Sequence, residues 1–288
     1  MYDRYINPAT DFGFKRLFGT EAHKDLLIDF LNRLLPQHHH IHTLTYRHTE
    51  QTGLNEYDRR AIFDVACESE TGEKFIVEFQ RVRQAYFKDR TIFYATFPLQ
   101  EQAQRGDWDY QLQPVYMVSI VDFLLHTPAA HPRIVTQVVL KDDDNRVFYD
   151  KLTFIYVELP KFTKKLDELE TDFERWLYLL RHLAELDAPP PGFESEPLRH
   201  LFEAAELAKM NRSERMGYES HLKTYRDWRN AAQTLVNEAV EEAVEEAVEK
   251  TTIAEKQEVA RRMKAEGLPS DIISRCTGLS AEEILALS

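Results

Sequence analysis

The chain has 288 residues, 43% hydrophobic and 30% charged, an ordinary globular composition long enough for one sizeable core with an appendage or two modest domains. Its formal net charge of −13 argues against tight, sequence-independent binding of nucleic acid, which leaves a basic footprint. Cys67 and Cys276 lie far apart and suggest no disulfide framework. The longest nearly apolar run, Val115 to Leu125, is too short for a bilayer and contains Asp122. With Asp3 and Arg4 followed by no apolar run, the expectation is a cytoplasmic protein with reduced thiols and no membrane association.

Asp11 sits among Phe12, Phe14, Leu17 and Phe18, where a carboxylate at a helix N-terminus favours the dipole. Residues 20–35 read as an amphipathic helix with Thr20 as N-cap, an apolar stripe from Leu26 to Leu35, and Pro36 closing it. His38, His39, His40 and His42 are read as a solvated loop, since adjacent imidazoles cannot all face one ion. Residues 41–48 supply a first strand, and a polar loop through Asn55 and Asp58 follows.

Residues 61–80 are the stretch around which the rest is organised. Ile62 to Cys67 reads as one short strand carrying a single carboxylate, Asp64. Gly72 makes the turn, and Phe75 to Gln80 returns with Phe75, Val77 and Phe79 on one face and Glu78 and Gln80 on the other. If Asp64 shares the second face, the hairpin gathers two carboxylates and an amide at one spot. Two close carboxylates repel, and a hard divalent cation with oxygen ligands resolves the conflict. The alternative is a pair of solvated acids on an exposed hairpin.

From Ala85 to Gln104 the spacing predicts a helix, bent at Pro98, burying Phe87, Ile92, Phe93, Ala95, Leu99 and Ala103. Arg90 and Tyr94 are four apart and share a face, either packed on each other or turned to the hairpin. Val115–Val121, apolar on both faces, reads as a central strand. Ile134–Leu140 and Leu152–Val157 read as further strands, and beyond residue 162 the pattern is helical only. Pro189-Pro-Pro-Gly192 marks a break, and Leu198–Met210 and Tyr218–Lys250 are further helices. Three near-copies of Ala-Val-Glu-Glu from Ala239 leave a narrow, slanted Ala/Val stripe suited to a partner helix. The tail, from Gly267, reads as a packing hairpin of two short helices rather than a DNA reader.

Phe63-Asp64-Val65, Gly72 and Phe75-Ile-Val-Glu78-Phe-Gln80 together resemble the core motif of PD-(D/E)-x-K nucleases, with Gln where that motif has Lys. This variant resembles the Rpn branch of recombination-promoting nucleases and putative transposases. Thr10-Asp-Phe-Gly-Phe-Lys-Arg-Leu-Phe18, Arg90-Thr-Ile-Phe-Tyr94 and Glu158-Leu-Pro-Lys-Phe162 agree with it in order.

The resemblance implies a mixed α/β sheet flanked by helices over residues 1–162 and an all-helical region over 163–288. It implies a metal-dependent DNA endonuclease using Mg²⁺ or Mn²⁺, held by Asp64, Glu78, the Phe79 carbonyl and Asp11. Gln80 can carry no charge and take no proton, so its expected part is to orient water or a phosphate. Arg81, Arg90 and Tyr94 are the expected DNA contacts. Residues 1–110 hold 14 Lys+Arg against 17 Asp+Glu, so this part is near neutral despite the acidic whole. A homodimer through the C-terminal helices is a further expectation. The rival expectation is a catalytically weak or inactive nuclease-fold module that works through those helices.

Overall fold

The computed structural model describes residues 3–36, 40–51, 61–103 and 107–287, so His38, His39, Asn55 and Asp58 lie outside the described residues. Two compact units are formed, Met1–Lys223 and Thr224–Ser288.

The strands of the first unit are β1 (Leu44–Tyr46), β2 (Glu50–Gln51), β3 (Ala61–Ile62), β4 (Val65–Ser69), β5 (Lys74–Gln80), β6 (Val115–Val121), β7 (Val135–Lys141) and β8 (Val147–Glu158). Six of them make one sheet in the order β1-β4-β5-β6-β8-β7, while β2 and β3 pair separately. β5, β6 and β8 run parallel and the outer pairings are antiparallel. A parallel centre must be covered on both faces, and every residue of β6 is buried as its two-sided apolar pattern requires. The β4–β5 turn closes at Gly72, whose φ of +88° would strain any side chain.

One face of the sheet presents Val65, Phe75, Val77, Val118 and Ile155 to α1 (Asp11–Phe18), α2 (Lys24–Leu34), α4 (Asp172–His182) and α5 (Glu196–Ala205). The other presents Ala66, Ile76, Met117 and Phe154 to α3 (Phe87–Gln100). Burying each such Leu, Val, Ile or Phe contributes about 1.5–3 kcal/mol, which is what holds the helices on.

Several boundaries differ from the expectation. The helix expected from Thr20 begins at Lys24, because Glu21–His23 forms a 3₁₀ turn and the Thr20 hydroxyl donates to the Arg16 carbonyl instead of capping. α3 buries Phe87, Thr91, Ala95 and Pro98, and this face turns Ile92 and Phe93 outward, 55% and 43% exposed. The expected division after residue 162 does not coincide with the edge of the first unit. Trp176, Leu177, Leu180, Leu198, Leu201 and Phe202 of α4 and α5 belong to the same core as the sheet.

α6 (Arg212–Ala265) is one continuous helix where a shorter one was expected. In the second unit α7 (Ser270–Thr277) and α8 (Ala281–Ala286) form the expected packing hairpin. Ile273, Leu279, Ile284 and Leu287 close on Ala260, Gly278 ends α7 in the left-handed conformation, and the Ser280–Glu283 capping box opens α8. No helix among the described residues is long and apolar enough to cross a membrane.

Candidate active site

The strand expected over Ile62–Cys67 is broken, and the break places Asp64. Between the pairs Tyr46↔Cys67 and Glu50↔Ile62, three residues (47–49) face four (63–66). The extra residue makes a β-bulge, and the chain bends at Asp64. Its mark is that Phe63 and Ala66 pack on the same side of the sheet although strict alternation would separate them. Continuing the β4–β5 register by one step from Val65↔Val77 brings Asp64 opposite Glu78. The Asp64 Oδ2 accepts the Phe79 backbone N–H at 2.9 Å, which fixes the bulge to β5.

Asp64, Glu78, Phe79 and Gln80 line a cavity of about 320 Å³ with Thr10, Asp11 and Phe14 of the α1 end, Arg81, Val82 and Gln84 of the following loop, and Arg90 and Tyr94 of α3. It opens beyond the carboxyl end of β5, where parallel strands of α/β sheets present their ligand sites. All eight residues expected at the site are brought together here. Asp64 and Glu78 both line the cavity.

The α1 end is shaped by local sequence. Thr10 is the N-cap, its hydroxyl accepting the Gly13 N–H at 2.9 Å and donating to the Asn7 carbonyl at 2.7 Å. A Cβ on Gly13 would stand 2.1 Å from that carbonyl, so only glycine lets the helix begin there. Asp11 pairs with Lys15 at 2.8 Å and lies 3.7 Å from His221 Nδ1.

Electrostatics mark the hairpin carboxylates. Burial, then the Asp64 charge, push Glu78 up to about 8, against the opposing pull of Arg90 and Lys15. Burial also raises the Asp64 carboxyl above its usual range, opposed by the Phe79 N–H, Lys15 and Arg81 and reinforced by Asp11. Tyr94 is raised by burial and by Glu78. A buried Glu78 and a partly buried Asp64 thus line one cavity, and burial makes both reluctant to ionise. Among the described residues no three His, Cys, Asp or Glu side chains stand close enough to form a metal cluster by themselves. Asp11 therefore does not complete a three-carboxylate set with the hairpin pair. Hard cations such as Mg²⁺ are nevertheless held by one or two carboxylates, and Asp64 and Glu78 with a backbone carbonyl fit that chemistry.

Three features escaped the sequence reading. Lys15 is the cation that favours ionisation of both Asp64 and Glu78, and its i,i+4 spacing from Asp11 was the available signal. Ser119, the register partner of Glu78 on β6, has a buried hydroxyl with no hydrogen-bond partner among the described residues. Gln80 is engaged at both ends of its amide, Oε1 accepting from Arg90 Nη2 at 2.6 Å and Nε2 donating to the Val82 carbonyl at 2.9 Å. Arg90 lies 5.6 Å from the Phe87 ring and 5.7 Å from the Tyr94 ring, so the packed arrangement and the site-facing one are both present.

Fold and cavity together define a class: a nuclease-like mixed sheet with a two-carboxylate hairpin at the end of its parallel strands. A family model described as PD-(D/E)XK nuclease family transposase matches residues 8–235, and the chain belongs to that family. No curated protein and no solved structure matches the chain.

Proposed function

We propose that the chain is a Mg²⁺-dependent DNA endonuclease of the Rpn type, with Mn²⁺ as a substitute, acting in recombination, defence or mobile-element biology. The observation that supports this most is the pairing of Asp64 with Glu78 in one cavity at raised carboxyl pKa. Asp64 and Glu78 would hold the cation, with the Phe79 carbonyl as a third protein ligand. When bound, Mg²⁺ supplies Lewis-acid polarisation of the scissile phosphate and activation of water.

The rest of the work falls to the chain itself. Asp64 is oriented by the Phe79 N–H, which keeps its carboxylate at the end of β5. Arg90, Arg81 and Tyr94 receive the phosphate backbone along the cavity wall. Lys15 offsets the charge of the acids and holds Asp11 beside them. Gln80 neither gives nor takes a proton, so no side chain at that position activates water, and cleavage is slow and strictly metal-dependent. Plasmid nicking by the purified protein, with and without Mg²⁺ and repeated for Asp64→Ala, tests this. Nicking that needs Mg²⁺ and vanishes in the variant is expected; nicking that ignores the variant refutes it.

A second reading is favoured by one observation. Val236, Val240, Val244 and Val248 on α6 are each more than half exposed, a stripe at four-residue spacing with no cover. An apolar stripe of this kind suits a second copy, giving a homodimer through the C-terminal helices and an assembly role that survives loss of catalysis.

A further inference from the structure

The inference rests on the nuclease reading of the cavity and concerns which group meets the substrate phosphate. We propose that Gln80 is a positioning residue for Arg90, and that the guanidinium, rather than the amide, is what this chain presents to a phosphate where the family motif has a lysine.

The amide is committed at both ends. Its oxygen accepts an Arg90 N–H at 2.6 Å, and its nitrogen donates a hydrogen bond to the Val82 carbonyl at 2.9 Å. Turning it toward water would break a charge-assisted hydrogen bond and release the loop that follows β5. Arg90 is held from a second side by Gln84, whose Oε1 accepts from Nη1, and it lies by the Phe87 and Tyr94 rings. Two amides and two rings thus fix one guanidinium. Among the described residues its remaining nitrogen, Nε, is buried with no hydrogen-bond partner. A buried donor left without an acceptor is unfavourable, the more so when it belongs to a charged group, so the arrangement is complete only with an acceptor present. A phosphate oxygen is the acceptor this cavity would receive.

The chemistry also explains why glutamine suits position 80. A lysine there has no acceptor for Arg90 and would set a second cation against it. A neutral residue with one acceptor and one donor can hold Arg90 and the loop together. The positive charge of the site is thereby delivered from α3 instead of from β5.

The test uses the full-length protein and a short DNA duplex. Binding is measured by fluorescence anisotropy in EDTA across a salt series, and nicking in Mg²⁺ under single-turnover conditions. The variants are Gln80→Ala, Gln80→Glu, Arg90→Ala and the double Gln80→Ala/Arg90→Ala, each checked by thermal melting. Gln80→Ala and Arg90→Ala are each expected to weaken metal-free binding by roughly tenfold or more, the loss of a charged hydrogen bond. The double variant is expected to be no weaker than Arg90→Ala, because the two act as one unit. The plot of log affinity against log salt should flatten by about 0.9 in Arg90→Ala, and similarly in Gln80→Ala although that change removes no charge. Gln80→Glu keeps the acceptor for Arg90 but loses the donor to the Val82 carbonyl and adds a negative charge beside the phosphate, so it too should weaken metal-free binding. The proposal is overturned if the single losses multiply in the double variant. It is also overturned if Gln80→Ala leaves binding and salt slope intact while nicking falls, since the amide would then act on the chemistry. A parent protein that neither binds nor nicks removes the nuclease reading with it, whereas a parent that does both isolates the failure to this inference.

Discussion

The Asp64 carboxylate accepts the backbone N–H of Phe79 at 2.9 Å, so the bulge residue of one strand is tied to the residue that follows Glu78 on the next. That bond separates the structural part of Asp64 from its chemical part. Asp64→Asn keeps an acceptor for the Phe79 N–H but loses the charge. It is expected to melt no lower than the parent, since the repulsion with Glu78 is relieved, while nicking falls by about 100-fold or more. Asp64→Ala leaves the N–H without its partner and should cost a further ~1–3 kcal/mol of stability. Thermal melting beside plasmid nicking checks both.

Stability should depend on pH through Glu78. Its carboxyl is raised to about 8 in the fold, against 4.5 ordinarily. Between those values the folded chain keeps a proton that the unfolded chain has released, so stability falls as pH rises through this window. Without metal the melting temperature should therefore drop between pH 6 and pH 8.5, and Glu78→Gln should flatten that part of the profile. Adding Mg²⁺ favours the ionised form and should restore most of the loss at the upper pH. A parent profile that coincides with Glu78→Gln contradicts this.

Gly13 is a stability position. Its missing Cβ makes room for the Asn7 carbonyl, which a methyl group would meet at 2.1 Å. Gly13→Ala should cost about 1–3 kcal/mol through forced backbone movement, against the usual helix preference for alanine, and shift the melting temperature down. An unchanged or raised melting temperature rejects the close approach.

Much of the site was legible, and the reasons are local. The Gly72 turn, the alternation of Phe75, Val77 and Phe79 against Glu78 and Gln80, and the two-faced burial of Val115–Val121 follow from strand period and turn chemistry. The bulge at Asp64 was not legible, because it comes from a mismatch with the partner strand and Asp64 itself carries no bulge signature. The engagement of Gln80 by Arg90 joins a strand to a helix ten residues on, and only tertiary packing sets its direction. The buried face of α3 was misread at Ile92 and Phe93 because aromatic and aliphatic residues occur all around that helix. The length of α6 was underestimated because its C-terminal part lacks a strong breaker before Gly267.

For the C-terminal helix the expected outcome is a change of mass. If the α6 valines meet a second copy, the parent should sediment as a dimer. Val240→Glu with Val244→Glu should then sediment as a monomer, with nicking per chain reduced no more than dimer loss requires. Equal sedimentation of parent and variant as monomers removes the dimer.

The central claim is that Asp64 and Glu78 together make one divalent-cation site, and direct metal binding tests it most closely. Mn²⁺ titrated into the intact protein at pH 8 and followed by electron paramagnetic resonance should show one bound ion per chain, displaced by excess Mg²⁺ and lost in both Asp64→Asn and Glu78→Gln. Binding that persists unchanged in both variants, or no binding to the parent at all, would contradict it.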